Sequence, residues 1–235
     1  MRKLFTIFLA AAFLLAGNEA FAQISVGAGY SHVTQRIKAS GLNKDVNMNG
    51  LYAGMDYSIP ISDNISVVPG LYYEFSSGVA NNLLNLGAIN TVLTGKLEEH
   101  YIDIPFKFMI SIPYQGNRAF VFAGPTVNYG VSSKIKADVN IFGFNTKLDN
   151  LLDTYDKGLL ERMDLMLGGG IGFDYKDMLR FTLGYNAGMF NRISDQANAE
   201  TPSSTDDSGF SIGQFIRNNA KIDRQQFYVG VAFLF

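Results

Sequence analysis

The sequence predicts an all-β protein, a transmembrane, antiparallel, up-and-down β-barrel of eight strands, with ten strands as the alternative. Three observations carry that expectation. Apolar residues recur at every second position in most of eight segments, the period of a strand with two unlike faces. The connections between those segments alternate between short and long, as in barrels with tight turns at one end and loops at the other. The opposite face of the segments is rich in Gly, Ser and Asn and carries few charges, which suits a narrow barrel interior better than a surface in water.

The chain has 235 residues and opens on the basic Met1-Arg2-Lys3, followed by an apolar stretch from Leu4 to Ala16. That stretch is shorter than the roughly 20 residues a spanning helix needs. Ala20-Phe21-Ala22 has the small-residue pattern of a signal-peptidase site, which predicts cleavage between Ala22 and Gln23. Residues 1–22 then form a cleaved signal peptide, and 23–235 form the barrel domain. No Cys follows the cleavage site, so neither a lipoprotein anchor nor a disulfide is expected. Without residues 1–22 the chain holds 17 Lys and Arg against 20 Asp and Glu, a net charge of −3. That balance offers no basic stripe to nucleic acid. No later apolar run reaches helix-spanning length, so any membrane crossing requires a closed barrel. Trp is absent, but 19 Phe and 12 Tyr supply aromatic side chains for membrane interfaces.

The eight strands are expected at about 24–34, 49–60, 65–77, 98–112, 119–132, 163–175, 179–191 and 224–235. In the first, Ile24, Val26, Ala28 and Tyr30 oppose Ser25, Gly27, Gly29 and Ser31. In the second, Leu51, Ala53, Met55, Tyr57 and Ile59 oppose Tyr52, Gly54, Asp56 and Ser58. The fourth sets Ile102, Ile104, Phe106, Phe108, Ile110 and Ile112 against Asp103, Pro105, Lys107 and Ser111. The seventh sets Phe181, Leu183, Tyr185, Ala187 and Met189 against Arg180, Thr182, Gly184, Asn186 and Gly188. The fifth is ambiguous, because Phe120 and Phe122 compete with Val121, Ala123 and Val127 for the apolar face. Pro105 and Pro125 lack a ladder donor and are expected to mark bulges or irregular points. Gly168, Gly170 and Gly172 share one face and would let bulky lumen groups cross over them.

Short turns are expected at 60–64, 113–118 and 176–178, and long loops at 35–48, 78–97, 133–162 and 192–223. The turns should lie in the periplasm and the loops outside the cell. Residues 131–147 read either as an extension of the fifth and sixth strands or as an added hairpin. Lys134, Lys136, Asp138 and Lys147 favour the extension, because basic groups near the bilayer centre are costly. Leu148, Leu151, Leu152, Tyr155, Leu159 and Leu160 recur at helical spacing, with Asp149 or Asn150 as the cap. Leu83 to Leu93 is a second apolar loop stretch, and 195–209 is polar and acidic without the spacing of an EF-hand.

Phe227, Val229, Val231, Phe233 and Phe235 form an unbroken apolar face up to the last residue. This resembles the C-terminal signal that the barrel-assembly machinery reads in bacterial outer-membrane barrels. Three further segments are similar to the PorT-like outer-membrane β-barrel family: Tyr101-Ile102-Asp103-Ile104-Pro105-Phe106-Lys107-Phe108, Phe122-Ala123-Gly124-Pro125-Thr126-Val127, and Gly168-Gly169-Gly170-Ile171-Gly172-Phe173-Asp174-Tyr175. The resemblance implies an outer-membrane barrel of about eight strands. Its members mostly lack an assigned activity, and the founding member is linked to secretion of surface proteins.

Chemistry leaves little trace. His32 and His100 sit near the loop ends of strands with the parity of the apolar face, and only Ser31 or Ser25 stands near enough in sequence to suggest a lipid-modifying pair. The glycine cluster at 168–173 lies on a strand and is not a phosphate loop. The expectation is therefore no enzyme, no cofactor and no metal. Candidate lumen charges are Asp56, Glu74, Asp103, Lys107 and Arg180, with Asp164 and Asp174 beside them. They line either a proton or ion path or a satisfied polar core, and an eight-strand interior favours the core. The expected surroundings are outer-membrane lipid, the assembly machinery during biogenesis, and an envelope or secretion protein as partner. A non-enzymatic barrel using its loops for binding or envelope support leads; a secretion-assembly component comes second. A narrow channel conflicts with a packed lumen.

Overall fold

The structure, a computed structural model, describes residues 23–39, 42–80, 92–141, 144–156, 160–193 and 221–235. Nine strands run in chain order: β1 (Gln23–Ala39), β2 (Leu42–Ser62), β3 (Ile65–Ala80), β4 (Val92–Tyr114), β5 (Asn117–Ile141), β6 (Phe144–Asp153), β7 (Met163–Tyr175), β8 (Leu179–Gly188) and β9 (Lys221–Leu234). Eight of them form a closed antiparallel ring, β1-β2-β3-β4-β5-β7-β8-β9, in which β9 returns to pair with β1. Closure leaves the ring no edge strand. The amide of Phe235 donates to the carbonyl of Ile24 at 2.8 Å, so the last residue is stitched to the first strand.

The ninth strand, β6, pairs only with the far part of β5, from Lys134↔Asp153 to Ile141↔Phe144. It stands beyond the ring as a hairpin, so the eight-strand reading holds and the ten-strand alternative does not. Two expectations need correction here. Residues 148–153 are strand, not helix: their backbone pairs with β5, and that ladder outweighs the leucine spacing. The expected loop at 35–48 is instead a hairpin, with β1 and β2 paired as far as Ala39↔Leu42. Here Asp45 and Asn47 face outward while Val46 and Met48 are buried inside, so the outward apolar parity that marked the other strands is reversed. The stretch 83–91 and the acidic segment 195–209 lie outside the described residues, as do residues 1–22.

Each ring strand presents its apolar parity outward. Leu51, Met55, Leu71, Ile110, Ile171, Leu183 and Val231 are all exposed, Leu51 to 66 %. On β4 the outward series runs from Ile102 to Ile112, which at about 3.3 Å per residue and a tilt of about 40° spans about 25 Å, the height of a lipid-facing band. The ambiguity in β5 resolves with Phe120 and Phe122 inside and Val121 outside. Glycines on the next strand make room: β7 pairs Gly172 with Phe120 and Gly170 with Phe122, and a Cβ at either glycine would overlap the phenyl ring beside it.

Pro105 and Pro125 do interrupt the β4–β5 ladder, but the register continues unchanged across the gap. No bulge forms at either. The register shifts instead at Pro60/Ser62, His100/Tyr101 and Ile135/Ala137. At the turn end, Gln115 and Gly116 (φ 49° and 75°) close β4 onto β5, and Lys176 and Asp177 (φ 52° and 50°) close β7 onto β8. Positive φ at two central residues matches the right-handed twist of the flanking strands.

Candidate functional site

The lumen is filled in layers. Nearest the turn end, Asp174 and Arg180 face each other across β7 and β8 and form two bonds of 2.8 Å, with the guanidinium 5.0 Å from the Phe120 ring centre. Above them Val68, Met109, Phe120, Phe122 and Tyr228 pack with Tyr52 into an apolar seal. Next come Asp56 and Lys107, 3.5 Å apart, with the Tyr72 hydroxyl donating to Asp56 at 2.5 Å. Beside this layer lies a cavity of about 60 Å³ bounded by Tyr52, Asp56, Tyr72, Lys107, Arg180 and Tyr228. At about 10–15 Å³ per water it has room for a handful of waters.

Glu74 is the hub of the following layer. It accepts from Ser31 at 2.6 Å, from Arg224 at 2.6 Å and from Gln226 at 2.8 Å. The Arg224 guanidinium also lies 4.1 Å from the centre of the Tyr101 ring. Asn128 donates to Asp103 in the same region. At the loop end, Glu99 accepts from Gln35 at 2.5 Å and from Ser133 at 3.2 Å. Arg192, just beyond β8, donates to the hydroxyls of Tyr101 and Tyr155 at 2.5 and 3.0 Å. The Tyr155 ring fills the space over Gly130, where a Cβ would overlap it. Burial pushes the Tyr155 hydroxyl above its ordinary value, so it stays a neutral hydrogen-bonding group. Tyr155 and Arg192 thus pack the loop end of the lumen.

All seven charges read from the sequence face this interior: Asp56, Glu74, Asp103, Asp164, Asp174 and Arg180 buried, and Lys107 largely so. Glu99, Arg192 and Arg224 are central to the network and were missed. Glu99 shares the parity of Tyr101 and Asp103, which was a usable signal; Arg192 fell in a segment read as loop. The two histidines point outward at the rim. His32 Nδ1 lies 3.1 Å from Asn49 Oδ1, and His100 Nδ1 lies 2.6 Å from the Tyr73 hydroxyl. Ser31 points the other way, to Glu74, so no serine–histidine pair forms. Among the described residues no group of three or more His, Asp or Glu is placed to hold a metal ion. Phe227, Val229, Val231, Phe233 and Phe235 lie on the outer face, 38–76 % exposed.

No curated protein matches the chain. Among solved structures it is similar to Ail, the attachment invasion locus protein of Yersinia pestis, at 12% identity and a TM-score of 0.40, covering 91% of this chain and 99% of that one. It is similar to Neisserial surface protein A at 14% identity and a TM-score of 0.38, with 89% and 96% covered. The translocator domain of the autotransporter NalP from Neisseria meningitidis gives 9% identity and a TM-score of 0.37, with 99% and 95% covered. Likenesses at this level say nothing about what the chain binds. The family described as outer membrane protein β-barrel domain matches residues 18–194, and the chain belongs to that family.

Proposed function

We propose that this protein is a non-enzymatic outer-membrane barrel that works through the wall it raises beyond the lipid. The carrying observation is the filled lumen: the Asp174–Arg180 pair and the apolar layer pack one end, and Tyr155 with Arg192 packs the other. Only surfaces beyond the apolar band remain for a partner. There β1–β2 and β4–β5–β6 continue as paired strands, and these, with the loops, serve binding or envelope support. The second reading is a component of a secretion assembly, favoured by the PorT-like segments around Tyr101–Phe108 and Gly168–Tyr175.

Loops outside the cell and turns in the periplasm follow from the alternation of connection lengths. Epitope tags at Ser204 and Asp177 should label differently on intact cells, Ser204 accessible and Asp177 protected. Crosslinkers placed in 133–162 should then capture an envelope or surface protein. Labelling at Asp177 but not at Ser204 overturns the orientation; a loop wall that yields no adduct removes the partner.

The exported chain is taken to begin at Gln23, after cleavage behind Ala22, and Phe227, Val229, Val231, Phe233 and Phe235 are its assembly signal. Phe235→Asp should then lower the amount of heat-modifiable barrel in the outer membrane and raise periplasmic degradation. A charge at the membrane boundary costs the folded barrel only about 0–1 kcal/mol, so the defect lies in insertion. Normal levels of folded variant would sink this role for Phe235.

A further inference from the structure

The strand ladder has a seam at the loop end. β8 stops at Gly188, opposite Met166 of β7, and its last partner on β9 is Gln225. Residues 163–165 of β7 and 221–224 of β9 therefore have no β8 between them. The chain crosses this seam at 189–193. The Met189 amide donates to Leu165 O at 2.8 Å and the Arg192 amide to Ile222 O at 3.2 Å.

Three charged side chains turn inward from the seam and are buried: Asp164, Arg192 and Arg224. The guanidinium carbons of Arg224 and Arg192 lie 4.1 and 5.5 Å from the centre of the Tyr101 ring. Arg224 Nη1 also lies 3.9 Å from the sulfur of Met166, the next residue after Asp164 on that face of β7. A Cβ placed on Gly188 would lie 3.5 Å from Asp164 Oδ2 and 3.3 Å from the Arg224 amide nitrogen. On β5, Asn128 is the register partner of Asp164 and is fully buried.

Each of these groups is only half satisfied. Arg192 Nη2 donates to the Tyr101 and Tyr155 hydroxyls, but its Nε and Nη1 are buried without a partner. Arg224 Nη2 donates to Glu74, while its Nε has no partner. Asn128 Nδ2 donates to Asp103, while its Oδ1 has none. Neither carboxyl oxygen of Asp164 receives a side-chain donor. Asp223, on the same stretch of β9, has Lys221 at 3.0 Å. The other unpartnered groups are the hydroxyls of Ser25 on β1 and Ser76 on β3. Donors and acceptors thus share the seam, yet no ion pair joins Asp164 to either guanidinium among the described residues. Buried polar atoms that do not meet one another are bonded through ordered water.

The mixture also selects the ligand. A cation would meet two guanidinium groups. An anion would leave Asn128 Oδ1 and the Asp164 oxygens without donors. A neutral molecule that both donates and accepts serves both sets, and water is small enough to sit between buried side chains. We propose that the seam is a binding site for ordered water, which bridges Asp164 and Asn128 to the guanidinium groups of Arg192 and Arg224. β5, β7, β9 and the crossing segment each supply a polar partner, enough for the two to four bonds of a buried water. The bridge ties the crossing segment to all three strands.

The test is a high-resolution crystal structure of the barrel, Gln23 to Phe235, refolded in detergent. The expected result is water within about 2.7–3.2 Å of an Asp164 oxygen and also of Arg192 Nε, Arg192 Nη1 or Arg224 Nε. A direct N–H···O contact between Asp164 and either guanidinium, with no water between, overturns the proposal. An ion at that place overturns it as well. In solution, isotope-labelled arginine reports the same water through cross-relaxation between long-lived water protons and the Nε–H protons of Arg192 and Arg224. Asp164→Leu fills the place with an apolar group and should abolish those cross-peaks; cross-peaks of wild-type strength in the variant overturn the bridge. Where the variant does not fold, the wild-type crystal structure decides.

Discussion

Arg224→Met should cost the barrel about 3–5 kcal/mol, the size of effect found when one partner of a buried ion pair is removed. Arg224 is fully buried; it donates to Glu74 at 2.6 Å and lies against Tyr101. Met matches much of its volume, so the loss reports charge more than packing. What remains is Glu74, also fully buried, with Ser31 and Gln226 as hydrogen-bond partners but no counter-charge. Neutralising it should restore part of the loss: the pair Glu74→Gln with Arg224→Met is expected to be more stable than Arg224→Met alone. Urea titrations in lipid vesicles measure both. A single-variant loss below about 1 kcal/mol, the range of solvent-exposed pairs, would mean that water reaches the pair and the lumen is not sealed there.

Val231→Arg should destabilise the inserted barrel by about 2–4 kcal/mol, the cost of a basic side chain on the lipid face near mid-bilayer. Val231 lies between Ala28 on β1 and Phe181 on β8, midway along the outward series of β9, and is 45 % exposed. Val231→Ala at the same site separates lost contact from added charge and should cost far less. The same titrations serve, and a charge penalty within about 1 kcal/mol of the Ala variant would place Val231 at the membrane boundary and move the whole band.

Much of the barrel was legible in the chain because a strand with lipid on one side and a packed lumen on the other must alternate. Where both conditions hold, as in β1, β2, β4 and β8, residue parity alone names the face of every side chain. It failed where one condition lapses. Beyond the lipid band the apolar parity turns inward, with Val46 and Met48 buried and Asp45 and Asn47 exposed, so 35–48 read as a loop. The leucine spacing at 148–160 read as a helix where 148–153 is paired strand. In β5 both faces are apolar, and the choice rests on glycines about fifty residues away that leave room for Phe120 and Phe122.

The sequence by itself determined the class of fold, the strands that cross the apolar band, and seven of the charges turned inward, because these depend on local period and composition. Which base meets which acid was decided only in the tertiary structure. Glu74 and Arg224 are 150 residues apart and meet across the lumen, while Asp103 and Asp164 share a rung through Asn128. Register and closure bring those groups to one height, and they depend on all eight strands together, so no segment read alone contains them.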